Sequence, residues 1–141
     1  PSPEESFKVD RVTSPEQIIE ARQWVDSVYL DPKIGEYILD LVFATRYQDF
    51  RELSDRQKGA QVGDLYGLIE YGASPRATLA LNLTAKAKAF CAGRAYVLPQ
   101  DVKDIAPGVL RHRLIPTFEA EAENLTTDDL IQRLLDELRT P

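Results

Sequence analysis

Gly72-Ala73-Ser74-Pro75-Arg76-Ala77 opens the longest regular stretch of the sequence, and how it is read decides the fold. Ser74 is of the N-cap type, and Pro75 suits the first helical position, where a missing N–H costs nothing. From there Leu79, Leu83, Ala87 and Phe90 recur at helical spacing, so we expect that face to be buried. The alanines at 80, 85, 87, 89 and 92 raise helix propensity and allow close packing. Gly93 is placed to end the helix in the left-handed conformation.

Upstream, Ser14-Pro15-Glu16-Gln17 gives a second cap-then-proline start, with Gln17 closing a capping box. Ile18, Arg22, Val25 and Tyr29 step along one face, with Ile19, Ala21 and Val28 beside them, which predicts a helix. Asp31-Pro32 repeats the signal, and Tyr37, Ile38, Leu41, Val42 and Thr45 form a broad apolar stripe running to about Arg46. Residues 1–12 read as a linker or short extended segment. Residues 48–70 crowd charges around Gly59, Gly63 and Gly67, so we expect a long, mobile connection with a helical turn near Leu65 to Ile69.

Downstream, Tyr96-Val97-Leu98 is a short extended piece before another proline-started helix at Pro99-Gln100-Asp101-Val102. Pro107-Gly108 predicts a stop and restart within it. Leu114, Ile115 and Phe118 suit a second extended piece. Thr126-Thr127-Asp128-Asp129 caps a last helix with Leu130, Ile131, Leu134, Leu135 and Leu138 inside. The fold class is all-α: a small helical bundle over residues 13–141 with one short β-hairpin.

The 141 residues carry 17 Lys and Arg against 23 Asp and Glu, a net charge of −6 that argues against broad nucleic-acid binding. No apolar run approaches the ~20 residues of a membrane-spanning helix, and no stretch reads as a secretory signal. One cysteine, Cys91, excludes an internal disulfide, and with the lone His112 it offers no metal cluster. There is no methionine and the chain starts at Pro1, so we expect a piece of a longer protein.

Arg76 is the residue that invites a chemical reading. The first turn of a helix carries partial positive charge and unpaired N–H groups, the wrong place for a cation unless an anion is to be bound. A guanidinium added there makes a site suited to phosphate. The alternatives are that Arg76 pairs with Glu70 or simply faces water. Arg111 and Arg113 suit a helix C-terminus, with His112 half-buried. Cys91 reads as a packed thiol. Asp128, Asp129, Asp136 and Glu137 read as a solvated face, and so does the string Glu119, Glu121, Glu123.

The order of these motifs resembles the C-terminal lid of MoxR-type AAA+ ATPases. The resemblance rests on Gly-Ala-Ser-Pro-Arg-Ala at 72–77, the run from Gly93 to Val102, and Val109-Leu110-Arg111-His112-Arg113-Leu114. Tyr37-Ile38 through Ala44-Thr45-Arg46 and the closing Thr140-Pro141 add to it, and it covers about Val9 to Pro141. The connection from Arg46 to Gly72 is longer than that pattern.

What the resemblance implies is a lid folded beside an α/β nucleotide-binding core, with ATP and Mg2+ used by the full-length parent and neither bound by this piece alone. Arg76 matches the sensor 2 position, which reaches the γ-phosphate, with Ser74 and Pro75 beside it in the nucleotide site. Tyr37 and Ile38 match positions that touch the adenine, although ordinary core packing accounts for both. The resemblance implies its own core and neighbouring ring subunits as partners, together with von Willebrand factor A domain proteins. It also implies chaperone-like remodelling or complex assembly and a cytoplasmic location, without nucleic acid or membrane. The rival readings are a free-standing helical interaction module and, less favoured by the charge, a DNA-binding domain whose helix–Pro-Gly–helix near Pro107 mimics a helix-turn-helix.

Overall fold

Polar caps and prolines start the helices. The computed structural model describes residues 8–46 and 53–141. The helices are α1 (Pro15–Ser27), α2 (Pro32–Ala44), α3 (Pro75–Cys91), α4 (Pro99–Leu110), α5 (Phe118–Ala122) and α6 (Thr127–Glu137). Ser14 Oγ accepts the Gln17 N–H at 3.2 Å while Gln17 Oε1 accepts the Ser14 N–H at 2.9 Å, the reciprocal box expected. Asp31 Oδ1 caps α2 through the Lys33 N–H at 2.8 Å, and Thr126 with Asp129 closes a second box at α6. Each such cap is worth about 1 kcal/mol. Gly93 ends α3 at φ 74, with the Arg94 N–H reaching back to the Ala89 carbonyl at 2.9 Å.

The small sheet pairs β1 (Ile69–Tyr71) antiparallel with β2 (Ile115–Pro116). The 96–98 segment is extended as expected, and pairs in parallel with Tyr29 through the Tyr29 N–H to Ala95 carbonyl and Val97 N–H to Tyr29 carbonyl bonds, both 2.9 Å. Residues 8–13 have no regular structure and lie exposed, and the half-covered Ser14 follows them before α1.

The core is one cluster centred on α2, α3, α4 and α6, with Tyr37, Ile38, Leu41, Leu81, Leu110, Leu130, Ile131 and Leu134 fully enclosed. Burying each such side chain stabilises the fold by about 1.5–3 kcal/mol. The face of α3 that enters this core differs from the one expected. Ala77, Leu81, Ala85 and Ala89 point inward, while Leu79 is 72% exposed and Leu83 56%. The reason is distance: α3 packs against α1, α2 and α4 together, and alanines permit that close approach where leucines would hold the helices apart. α1 buries none of its residues, so Ile18, Ile19 and Trp24 remain on the surface.

Residues 53–70 pack against the core, where a loose connection was expected. Val62, Leu65, Leu68 and Ile69 are all buried, in short 3-10 turns (Asp55–Gln57, Val62–Leu65) leading to β1. The charges and glycines there face outward and mask an apolar series at every third residue, Val62, Leu65 and Leu68, with Ile69 beside the last. The part of that expectation falling on 47–52 lies outside the described residues. Pro107 does not stop α4 either. Losing one backbone bond costs ~3 kcal/mol, and the helix recovers it by burying Val102, Ala106, Val109 and Leu110 on one side.

Candidate functional site

The end of α2 and the start of α3 are one joint. Thr45 Oγ donates to the Val42 carbonyl at 2.7 Å and accepts the Ala73 N–H at 2.9 Å, all in the buried interior. Gly72 lies so close that an added Cβ would stand 2.6 Å from the Thr45 carbonyl carbon and 2.9 Å from its Oγ. Only glycine permits that approach. Gly72 and Ala73 therefore dock the leading edge of α3 onto α2 and fix where Ser74, Pro75 and Arg76 stand.

Arg76 is exposed in the first turn of α3 and, among the described residues, makes no hydrogen bond or ion pair. Glu70 is also exposed and does not bind it. Ser74 occupies the cap position in extended backbone, yet its side chain makes no capping bond, so only the Ala77 N–H is turned back, to the Ser74 carbonyl at 2.8 Å. The first turn of α3 thus presents a guanidinium and an open helix end to the outside, an arrangement that suits an anion.

Tyr37 and Ile38 are not brought to this edge. Both are at 0% exposure inside the core, and burial pushes the Tyr37 phenol up to about 12. Its hydroxyl finds no partner among the described residues. The structure therefore shows them as packing residues of α2, consistent with the core-packing alternative.

A second polar joint holds the other end of α3. Arg94 donates to both Asp101 carboxylate oxygens, at 2.7 and 2.6 Å, and Asp101 Oδ2 also accepts the Leu98 N–H at 2.7 Å. The Arg94 hydrogen bond is the main reason the Asp101 carboxyl is held below its ordinary value, opposed by burial and helped by the backbone bond. Asp101 thereby caps α4 and ties it to the turn after α3.

The other candidates separate differently from the expectation. Arg113 Nη1 caps the end of α4 through the Val109 carbonyl at 2.8 Å, whereas Arg111 grips Asp128 with two bonds of 2.7 and 2.9 Å. Asp128 is thus a partner of Arg111 rather than a purely solvated carboxylate, and Asp129 caps α6. His112 is exposed beside Arg113 instead of half-buried, and Cys91 is exposed instead of packed, because both fall on the outward side of a helix end. Among the described residues no three His, Cys, Asp or Glu side chains converge as a metal site. Sequence reasoning missed the role of Thr45 and Gly72; the clue was a glycine three residues before a helix start, where no turn required one.

Residues 67–134 match the AAA lid domain family. The fold and the matched stretch define the class: the chain is an AAA lid domain. Along its length it is of the MoxR type. It is 30% identical to the chaperone MoxR1 of Mycobacterium tuberculosis, in a match covering 100% of this chain and 38% of that protein. Protein MoxR of Paracoccus denitrificans is 35% identical over 69% of this chain and 28% of its own length. A crystal structure from Cytophaga hutchinsonii, of a protein provisionally assigned as an ATPase, superimposes with a TM-score of 0.82 at 34% identity, covering 96% of this chain and 38% of that one. The chain therefore spans well under half the length of these relatives.

Proposed function

We propose that this domain is the nucleotide-sensing lid of a MoxR-type ATPase, and that Arg76 is its sensor 2 residue, directed at the γ-phosphate of ATP bound in a separate core. The observation that carries the reading is the Arg76 guanidinium, without a partner among the described residues, at the N-terminus of a 17-residue helix whose cap residue makes no side-chain capping bond. The joint at Thr45 and Gly72 supports it, because it holds that helix edge rigidly instead of leaving Arg76 on a loose loop.

The residues present fit a phosphate: the Arg76 guanidinium, with its own backbone N–H in the first turn after Ser74 and Pro75, would hold the anionic end of the nucleotide. They do not form a magnesium site by themselves, so Mg2+ would be held by the phosphates and the core. When bound, the nucleotide supplies the phosphoryl group that is transferred to water. Arg76 would stabilise charge developing on that group, the main protein contribution to phosphoryl transfer. Because the guanidinium contacts only the triphosphate state, it would also bias the lid's position by nucleotide state.

A docked core also accounts for the apolar surface of the domain. Arg76, Leu79 and Leu83 share one face of α3 by their spacing, and Leu79 and Leu83 are exposed. A core docked on that face would cover both leucines. A ring of neighbouring subunits, von Willebrand factor A domain partners, chaperone-like remodelling and a cytoplasmic setting belong to the same reading.

The test is ATP turnover by the full-length protein carrying Arg76→Ala or Arg76→Lys. Loss of one charge-stabilising donor is expected to lower the rate by about 10²-fold or more, with partial recovery at best by lysine, which lacks the planar fork. Normal turnover with altered partner binding would instead favour the free-standing interaction module.

A further inference from the structure

Asp40 is a buried carboxylate, 1% exposed, that the nucleotide reading does not use and that pairs with no cation among the described residues. It accepts the Ser54 N–H at 2.8 Å, the Ser54 hydroxyl at 2.6 Å and the Gln57 side-chain amide at 3.2 Å. Gln57, itself 3% exposed, carries the connection on to the C-terminal residues. Its amide donates to the Arg139 carbonyl at 3.0 Å, and its oxygen accepts the Arg139 N–H at 2.7 Å. Two flanking contacts join the same pieces. The Gln61 N–H donates to Glu137 Oε2 at 3.3 Å, and a Cβ added at Gly59 would lie 3.8 Å from an Arg139 guanidinium nitrogen.

Within residues 53–61 only Gln57 is buried, so polar bonds rather than apolar packing hold this stretch. From Val62 onward the attachment is of another kind. Val62, Leu65, Leu68 and Ile69 are buried, and Thr117 bonds the Gly67 carbonyl through its hydroxyl at 2.6 Å and the Leu68 carbonyl through its N–H at 3.0 Å. Thr45 then holds the Ala73 N–H. The C-terminal end divides in the same way: Leu138 is buried, whereas residues 139–141 are exposed. Stretches with few buried apolar contacts open at lower free energy than the core they rest on.

We infer that residues 53–61 and 139–141 form one cooperative latch, anchored on α2 through Asp40, which opens as a unit while the leading edge of α3 stays in place. The unity follows from the cost of a half-made network: an enclosed carboxylate or carboxamide that keeps one partner and loses another bears the full penalty of the missing bond. Releasing Arg139 strips the Gln57 oxygen of its donor, and releasing Ser54 strips Asp40 of two donors out of three. The C-terminal residues and the start of the 53–70 stretch therefore let go together, and a contact that holds one of them shut also holds the other. The Thr45–Ala73 joint lies beyond the buried apolar series, so the opening does not reach it. This inference does not depend on Arg76 or on any nucleotide role.

The test is amide hydrogen exchange of the 141-residue chain, read residue by residue by NMR. In a chain ending at Leu138, and separately in Gln57→Leu, the Ser54 and Ala60 amides are expected to exchange at least about fivefold faster than in the unchanged chain. From the other end, Asp40→Asn should speed the Arg139 amide by a similar factor, although Asp40 and Arg139 are joined only through Gln57. The Ala73 and Ala85 amides should keep their rates throughout. A substituted chain that fails to fold loses protection at Ala85 as well, and the chain ending at Leu138, which removes no buried side chain, then decides the matter. Unchanged Ser54 exchange in that shortened chain, or acceleration at Ala73 or Ala85 along with Ser54, would overturn the inference.

Discussion

The Thr45 hydroxyl stands 2.9 Å from the Ala73 N–H, joining the last turn of α2 to the residue before the α3 cap across 28 positions of sequence. That single bond, with the glycine beside it, sets the direction in which Arg76 leaves the domain. Thr45→Val removes the acceptor and leaves a buried N–H unpaired, at an expected cost of about 1–3 kcal/mol in chemical unfolding. Gly72→Ala drives a methyl into the Thr45 backbone, where neither partner can yield cheaply. We expect a loss of about 1–3 kcal/mol there as well, and a full-length protein with weakened ATP turnover even where it folds.

Asp101 predicts an acid limb in the stability profile. Its folded carboxyl sits below the ordinary value of 3.8, chiefly through the Arg94 hydrogen bond. The stabilisation is therefore complete above about pH 4 and is lost as pH falls further, when protonation of the folded carboxyl breaks the pair. Asp129 is lowered in the same direction by its Thr126 bonds and adds to this limb. Thermal unfolding of Asp101→Asn should begin from a lower Tm at pH 7 and show a shallower decline between pH 4 and pH 2. An unchanged decline would contradict this role.

Pro107 lies inside α4 without its N–H, an internal flaw compensated by the buried face around it. Pro107→Ala restores a donor and relieves the ring's clash with the preceding turn, partly offset by a more flexible unfolded chain. The expected net effect is a gain of about 1–2 kcal/mol, measured by urea unfolding with an unchanged m-value.

Leu83 separates domain stability from docking. At 56% exposure its replacement by serine should change the stability of this chain by less than about 0.5 kcal/mol. In the full-length protein the same change should loosen the lid against the core, seen as faster amide exchange along α3.

Helix starts were legible because caps and prolines act within four residues: Ser14, Asp31 and Thr126 behave as their sequence neighbours require. The place of Arg76 in the first turn of α3 was legible for the same local reason. The inner face of α3 was not, because hydrophobicity favours Leu79 and Leu83, whereas helix spacing favours Ala77, Ala85 and Ala89. Nor was the packing of residues 53–70, which depends on partners as distant as Asp40 and Arg139. Tyr37 and Ile38 illustrate the converse: an apolar stripe looks the same whether it meets a ligand or its own core.

A crystal structure of the full-length protein with a non-hydrolysable ATP analogue and Mg2+ will show whether Arg76 meets the nucleotide. We expect an Arg76 nitrogen within about 2.7–2.9 Å of a γ-phosphate oxygen, the range of charge-assisted hydrogen bonds. An Arg76 that instead faces bulk water, or pairs with a carboxylate while the analogue is bound, would contradict it.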